Sequence, residues 1–298
     1  RHGEIHGMVV FSTRAKGNGI MILISVFVIT CLTIIALALG RLVWSQKADK
    51  ERSIHGILGV SVYIELIKLT QQHRGMHSGF LNGKLEFKEK LTSLESSIDQ
   101  CYTDLLKFEK NHSYPENLSA HYPFKQWQRL LNNNAIDSAE SFRIHSGIIA
   151  RLLDALWDMS DEFSLTSNHN LEVRSPAQQL IKTLPELTES LGQIRALSVQ
   201  VASKQEMTPD KKLQLLFTIE KIEEHCKNLT TPLPAETYKH LTNFTQNIKQ
   251  DIHQTQLSQQ NPDTLFQEAT RVIDQLFGVI HIEFETLKTT INGIKKLF

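Results

Sequence analysis

The chain has 298 residues and a balanced charge, with 32 basic and 32 acidic side chains. Residues 1–44 hold four of the basic residues and one of the acidic residues. The rest of the chain therefore has 28 basic and 31 acidic residues and a net charge of about −3. Nucleic-acid binding requires a basic face that neutralises phosphates. This charge balance therefore argues against a nucleic-acid partner.

Cysteine usage and motif content exclude several kinds of site. Of the three cysteines, Cys31 lies in an apolar run, so only Cys101 and Cys226 could form a disulfide outside it, and both could equally be free thiols. No CxxC motif or cysteine–histidine array indicates zinc. We expect a protein that is not an enzyme and that has no cofactor and no metal site.

An uncharged run of 20 residues, Ile20–Leu39, stands near the N-terminus, and Leu42 to Trp44 extend it. At about 1.5 Å per residue, such a helix crosses a hydrocarbon core of roughly 30 Å. A cleaved signal peptide is the alternative, but its apolar region is usually only about 7–15 residues. We predict a transmembrane helix over residues 20–44 after a cytoplasmic segment, residues 1–19. Basic residues flank the run on both sides, so charge does not determine its orientation.

Beyond residue 50, apolar residues recur in alternating steps of three and four, as in helices with one buried face. Asn82-Gly83 separates the first two series and indicates a turn between antiparallel helices. Further helix starts are indicated by capping patterns at Asp137 with Glu140, at Thr208-Pro209-Asp210 and at Asn261-Pro262-Asp263. No segment reads as a convincing strand.

The sequence thus predicts an all-α protein in which the transmembrane helix precedes two consecutive four-helix bundles. The first bundle is expected at residues 45–165 and the second at residues 166–298, with a linker near 166–176. A helix predicted from about Pro176 to Lys204 contains Pro185, which either kinks it or restarts it.

Polar residues interrupt the apolar seam of the first helix after the span. Gln71, Arg74 and Ser78 continue the seam without a change of phase. Burying an unpaired guanidinium is very costly, so Arg74 must meet an acidic partner, carbonyls, water or an anionic ligand. A similar group recurs in the second half, where Gln193-Ile194-Arg195 precedes Ser198.

Two histidines, His73 and His77, lie four residues apart on the same predicted helix. This spacing suits a metal pair, but two histidines alone rarely make a site, so none is predicted.

These residues carry a resemblance to a known family. Gln72-His73-Arg74-Gly75 and the following Ser78-Gly79-Phe80-Leu81 resemble the first helix of the nitrate- and nitrite-sensing (NIT) domain, where Q-x-E-R-G-x-S-x-x-F/Y-L is typical. The chain is similar to the family's second signature at Leu184-Pro185-Glu186-Leu187 and Glu189-Ser190-Leu191-Gly192-Gln193-Ile194-Arg195, and to its last helix at Ala269-Thr270-Arg271. His73 stands where the family has glutamate, and Ala196 where it has a second glycine. The resemblance spans roughly residues 50–295.

The resemblance implies a periplasmic sensor domain of a bacterial signalling protein, held in the inner membrane by one span. Arg74 and Arg195 would bind a small oxyanion such as nitrate or nitrite, with Gln71, Ser78 and Ser198 as supporting polar groups. A guanidinium suits this role because its planar fork of donors matches oxyanion oxygens. The partners implied are a second copy of the chain or another signalling or membrane protein.

Two alternatives remain open from the sequence. Both arginines could be structural, each paired with a carboxylate on a neighbouring helix. The chain could then be a membrane-anchored helical scaffold or accessory subunit that binds partner proteins without a small ligand.

Overall fold

The computed structural model describes residues 5–133 and 135–293, and their side chains from residue 23 onward except residue 46. These residues contain no strand, which confirms the all-α class. The helices are α1 (Ile5–Leu81), α2 (Lys88–Asn111), α3 (His121–Leu131), α4 (Ser138–Glu162), α5 (Leu171–Gln178), α6 (Leu184–Lys204), α7 (Pro209–Lys227), α8 (Ala235–His253) and α9 (Pro262–Gly293).

Helix α1 contains the apolar run. Its large hydrophobic side chains from Leu23 to Trp44 are exposed, and no other helix in the described part of the chain is long and apolar enough to cross a membrane. A signal sequence shares these properties, so the retained span stays a prediction. The predicted segment 1–19 and the first three residues of the span lie outside the residues whose side chains are described.

Helix starts follow the capping patterns of the sequence. The side-chain oxygens of Asp137, Thr208 and Asn261 accept hydrogen bonds from backbone N–H groups in the first turns of α4, α7 and α9. Each of these helices begins at the residue after its capping side chain. The predicted turn is also present, because α1 ends at Leu81 and Gly83 has a φ of +98° that favours glycine.

The stretch predicted as a linker is partly helical. Helix α5 begins inside it at Leu171, and Asn170 accepts a hydrogen bond from the Glu172 N–H at 2.9 Å. A π-helical turn, Gln179–Thr183, joins α5 to α6, which restarts one residue before Pro185. Proline has no N–H to give to the preceding turn, and π turns accommodate such breaks. The division between residues 165 and 166 stays a prediction.

The described residues from Glu51 to Gly293 belong to one compact unit. In it, α6 is buried over most of its length and packs against α7, α9 and part of α4. The predicted seam of α1 is buried as well, from Ile57 and Val60 down to Arg74. Thus the two helices that carry the arginine motifs both lie in the core. The arrangement as two four-helix bundles stays a prediction.

The buried seam of α4 provides a test of the packing. Leu156 is fully buried, so Leu156→Asp places a carboxylate in the core without a partner and should lower the free energy of unfolding by several kcal/mol. Leu213→Asp on α7 is the matched control, since Leu213 is 69% exposed and the change should cost less than about 0.5 kcal/mol. Denaturant unfolding of both variants in detergent measures the difference, and equal costs would contradict this packing of α4.

Candidate functional site: two buried arginines

Arg74 on α1 and Arg195 on α6 are both buried, with exposures of 1% and 3%. A guanidinium stays charged in nearly any environment, so burial requires each to be compensated by nearby groups. The two arginines are compensated differently.

Arg74 forms a two-pronged ion pair with Glu189 of α6. Its Nη1 lies 2.7 Å from Glu189 Oε1 and its Nη2 lies 3.1 Å from Oε2. Nη1 also donates to the Ser146 hydroxyl at 3.0 Å, and the guanidinium carbon stands 5.3 Å from the centre of the Phe142 ring. Arg74 therefore has the carboxylate partner that the structural alternative requires.

Glu189 is held in turn by two amides. The side-chain N–H groups of Gln71 and Gln193 donate to its two oxygens at 3.2 and 2.9 Å. The carboxylate is only 6% exposed, so these hydrogen bonds replace the water that it has lost. Arg74, Glu189 and the two glutamines form one connected buried network between α1 and α6.

Arg195 has only neutral hydrogen-bond partners. Its Nη1 donates to the Thr270 hydroxyl of α9 at 2.9 Å, and its Nη2 donates to the backbone carbonyl of Gln71 at 3.1 Å. The Phe266 ring lies 5.0 Å away. Burial, and after it the neighbouring Arg74, lowers the pKa of Arg195 to about 10, while Asp274 and Glu189 oppose this shift. The side chain is still a cation at neutral pH.

Each arginine passes over the glycine of the other motif. A Cβ on Gly192 would stand 2.5 Å from Nη2 of Arg74, and a Cβ on Gly75 would stand 3.1 Å from Nη2 of Arg195. Real Cβ atoms essentially never approach within 3.0 Å of such a neighbour. Glycine at both positions thus allows α1 and α6 to approach while the two guanidinium groups cross between them.

The buried charges do not cancel. Two guanidinium groups face one carboxylate, which leaves one positive charge at Arg195. Among the described residues, no carboxylate forms an ion pair with Arg195; Asp274 acts on it at longer range. Thr270 and Phe266, which contact Arg195, also line an open surface groove of about 520 Å³ along α9. Arg195 itself does not line this groove.

The structure brings together some of the predicted site residues and not others. Gln71 joins both arginines, since its amide binds Glu189 and its carbonyl binds Arg195, and its Oε1 is buried without a partner among the described residues. Ser78 instead binds the Ser138 hydroxyl at 2.7 Å. Ser198 donates to the backbone carbonyl of Arg195 in its own helix, at 3.3 Å. Neither serine contacts a guanidinium group.

Sequence reasoning missed Glu189, Ser146 and Thr270. Glu189 lies one helical turn before Gln193 on the same helix, so its place beside Gln193 was a detectable signal. Thr270 falls within the segment that resembles the last helix of the family, but nothing local marks it as a partner of Arg195. The choice of Ser146 depends on how α4 packs.

A third histidine joins the two noted in the sequence. His145 of α4 lies beside His73 and His77, and one ring nitrogen of each comes within 4.8 Å of the others. Burial, followed by the charge of His73, lowers the pKa of His77 to about 4 and that of His145 well below its usual range. Both are therefore neutral imidazoles at neutral pH. These residues have the chemistry to hold a metal ion.

Comparisons with known proteins give a family match and a similar fold. A family model described as nitrate and nitrite sensing matches residues 65–281, which include both arginines and both glycines. The fold is similar to a structure described as that of the NasR transcription antiterminator, with a TM-score of 0.72 and 15% identity over 88% of this chain and 75% of that chain. At this identity the likeness is one of fold alone. No curated protein matches the sequence.

The ion pair between Arg74 and Glu189 provides a test of the network. Arg74→Ala leaves the Glu189 carboxylate buried without its cation and should lower the free energy of unfolding by about 3–5 kcal/mol. The double variant Arg74→Met with Glu189→Leu removes both charges and should recover most of this loss. Denaturant unfolding of the single and double variants measures the coupling. Additive losses would show that the two side chains do not interact.

The close approach at Gly192 provides a second test. Gly192→Ala drives a methyl group toward the ion-paired guanidinium of Arg74 and should cost about 1–3 kcal/mol. Gly147→Ala on α4 is the matched control, because nothing lies within 4 Å of its added Cβ and alanine should stabilise that helix by up to about 1 kcal/mol. We expect the melting temperature to fall in Gly192→Ala and to rise in Gly147→Ala. A higher melting temperature in Gly192→Ala would contradict the crossing of Arg74 over this glycine.

Proposed function

The chain belongs to the nitrate and nitrite sensing family, and we propose that it binds a small oxyanion, nitrate or nitrite, at Arg195. The family description supports the class of ligand, and the geometry of the two arginines supports the place. The proposed role is sensing without catalysis.

The observation that carries the proposal is the uncompensated charge of Arg195. A buried cation whose partners are a hydroxyl and a carbonyl is stabilised less than one with a carboxylate. A monovalent oxyanion beside it would make the buried charges cancel. Nitrate and nitrite each carry one negative charge, so they match the charge that remains after Glu189 has neutralised Arg74.

Geometry favours Arg195 over Arg74 as the main ligand-binding group. The guanidinium of Arg195 has five N–H donors, of which Thr270 and Gln71 take two. Arg74 already gives both of its terminal nitrogens to Glu189 and Ser146.

Arg74 would then act by positioning. Its pair with Glu189 holds Gln71 through the glutamine amide, and the carbonyl of the same residue holds Arg195. Binding of an anion at Arg195 would therefore act on α6 directly, on α1 through Gln71 and on α9 through Thr270. Three helices that meet at one ligand are suited to convert binding into a change of packing.

We further propose that this domain, built as two helical bundles, lies in the periplasm of a bacterium and is joined to the inner membrane by the apolar run of α1. The candidate span and the resemblance to receptor sensor domains support this placement. A second copy of the chain or a signalling partner in the membrane would receive the signal.

One observation favours the alternative of a helical scaffold without a small ligand. Arg74 is fully paired with Glu189, as expected of a structural arginine. The two proposals differ in one measurable respect: a scaffold has no need to bind nitrate or nitrite, whereas the sensor must do so in its folded state.

Calorimetric titration of the full chain in detergent tests the sensor. Sodium nitrate or nitrite should bind once per chain and raise the melting temperature, whereas sodium chloride at equal ionic strength should not. The gain in stability should follow RT ln(1 + [L]/Kd), about 2.7 kcal/mol at a hundredfold excess over Kd. The proposal is overturned if a folded chain shows no heat of binding and no shift in melting temperature.

The variant Arg195→Lys locates the site. It keeps the charge but loses the planar fork, so nitrate affinity should fall at least tenfold while the fold is retained. Arg143→Lys is the matched control, since Arg143 is exposed and pairs only with Glu140 one turn away. A folded Arg195→Lys with unchanged affinity would place the anion elsewhere.

A further inference from the structure

Three histidines from two helices meet in the compact unit. His73 and His77 stand on successive turns of α1, and His145 comes from α4. The ring centres lie 5.1 Å apart for His73 and His145, 5.3 Å for His73 and His77, and 5.7 Å for His77 and His145. His73 and His145 are almost fully buried, whereas His77 is partly exposed.

The hydrogen bonds fix where the proton of His145 lies. Its Nδ1 is 2.7 Å from the backbone carbonyl oxygen of Ser141, which can only accept. Nδ1 therefore carries the proton, and Nε2 presents a lone pair. That lone pair faces Nδ1 of His73 at 2.8 Å.

His73 stands between two acceptors. Its Nδ1 faces the lone pair of His145, and its Nε2 faces the Glu95 carboxylate at 3.4 Å. A neutral imidazole has one N–H and cannot donate to both. Either one ring nitrogen of His73 faces an acceptor without a proton, or the cluster holds an added positive charge. An added proton would place a buried imidazolium in the residue next to the Arg74 cation.

We propose that His73, His77 and His145 bind a divalent transition-metal ion of the zinc, cobalt and nickel class. Imidazole nitrogen is the donor that these ions share, and three histidines with an open fourth position form a known zinc arrangement. A metal ion at the lone pair of His145 removes the conflict at His73, because Nδ1 of His73 then also binds as a lone pair and Nε2 keeps its proton for Glu95.

The surrounding groups match those that orient metal-binding histidines. Such histidines give their second ring N–H to a carboxylate or a carbonyl. Glu95 takes this place for His73 and the Ser141 carbonyl takes it for His145. The Ser141 hydroxyl lies 2.8 Å from Nδ1 of His77 and so fixes the orientation of the third ring.

Side-chain movements of about 0.5 to 1.5 Å would admit the ion. Two bonds of about 2.0–2.1 Å at a tetrahedral angle separate the donor nitrogens by about 3.3 Å. The nitrogens of His73 and His145 are now 2.8 Å apart, and all three donor nitrogens lie within 4.8 Å of one another. The fully buried Trp127 ring stands nearly perpendicular to that of His73, with the ring centres 4.8 Å apart, and closes the buried side. The partly exposed His77 leaves a path from solvent. The proposal does not rest on anion binding, because none of the three histidines contacts Arg195.

Cobalt titration of the full chain tests the site. The protein is purified in detergent without a histidine tag, treated with EDTA, desalted and titrated with cobalt chloride. One Co²⁺ per chain should bind and give the strong visible absorption of four-coordinate cobalt, zinc chloride should abolish it, and either ion should raise the melting temperature. Binding below half an equivalent, or only the weak bands of six-coordinate cobalt, would overturn the proposal.

Variants assign the ligands. His77→Gln removes the most accessible ligand and should lower cobalt affinity at least tenfold, and His145→Asn should do the same. His240→Gln is the matched control and should leave affinity unchanged, because this half-buried histidine of α8 binds Gln275 of α9, and neither helix carries a histidine of the cluster. If His145→Asn does not fold, the His77→Gln titration decides. Wild-type affinity in His77→Gln would overturn the proposal, and nitrate calorimetry on the metal-free chain tests the anion site separately.

Discussion

The contact between Arg74 and Glu189 is the interaction on which the site depends. Both charges are nearly excluded from water, so each is tolerable only while the other is within hydrogen-bond reach. This requirement fixes α6 against α1, because a shift of either helix by one residue would separate the charges. Glycines at positions 75 and 192 make the required closeness sterically possible. The electrostatic constraint and the small residues therefore act together.

The same contact explains why the two arginines differ. The motifs are similar in sequence, and each arginine lies over the other motif's glycine, yet only one carboxylate is present between them. Glu189 is committed to Arg74 by two hydrogen bonds and to Gln71 and Gln193 by two more. Arg195 is left with neutral partners. A near-symmetric pair of motifs thus produces one cation that is paired with a carboxylate and one, the proposed anion site, that has neutral partners.

Much of the fold follows from local sequence, whereas the partners in the site do not. The buried face of α1 follows from its three- and four-residue spacing, and the starts of α4 and α7 follow from Asp137 and Thr208. These signals act over a few residues. Which carboxylate meets Arg74 is settled by contacts 115 residues apart in sequence. The spacing of Glu189 and Gln193 marks a pair on α6 but does not connect that pair to Arg74. The sequence requires that Arg74 be compensated but does not name its partner.

His145 was missed as a partner of His73 for the same reason, since the two are 72 residues apart in sequence. Ser78, in contrast, was assigned to the arginine site and does not belong to it. Periodicity places Ser78 on the seam of Arg74, but one further turn brings it to the start of α4, where the Ser138 hydroxyl is closer than either arginine. Residues on one face of a helix meet the same partners only as long as the neighbouring helix stays the same. Along α1 the neighbours differ from one residue to the next, since His73 contacts α2 and α4 whereas Arg74 contacts α4 and α6.

That change of neighbour lets one helical turn serve two kinds of ligand. Consecutive residues on a helix point about 100° apart, so His73 points toward Glu95 of α2 and Arg74 toward Glu189 of α6, although both also reach α4. A cation held by the histidines and an anion held near Arg195 would carry opposite charges in a region of low dielectric, so each would favour the binding of the other. By linkage this effect is reciprocal and equal for the two ligands. In this arrangement α1 would respond to the pair of ions more strongly than to either one alone.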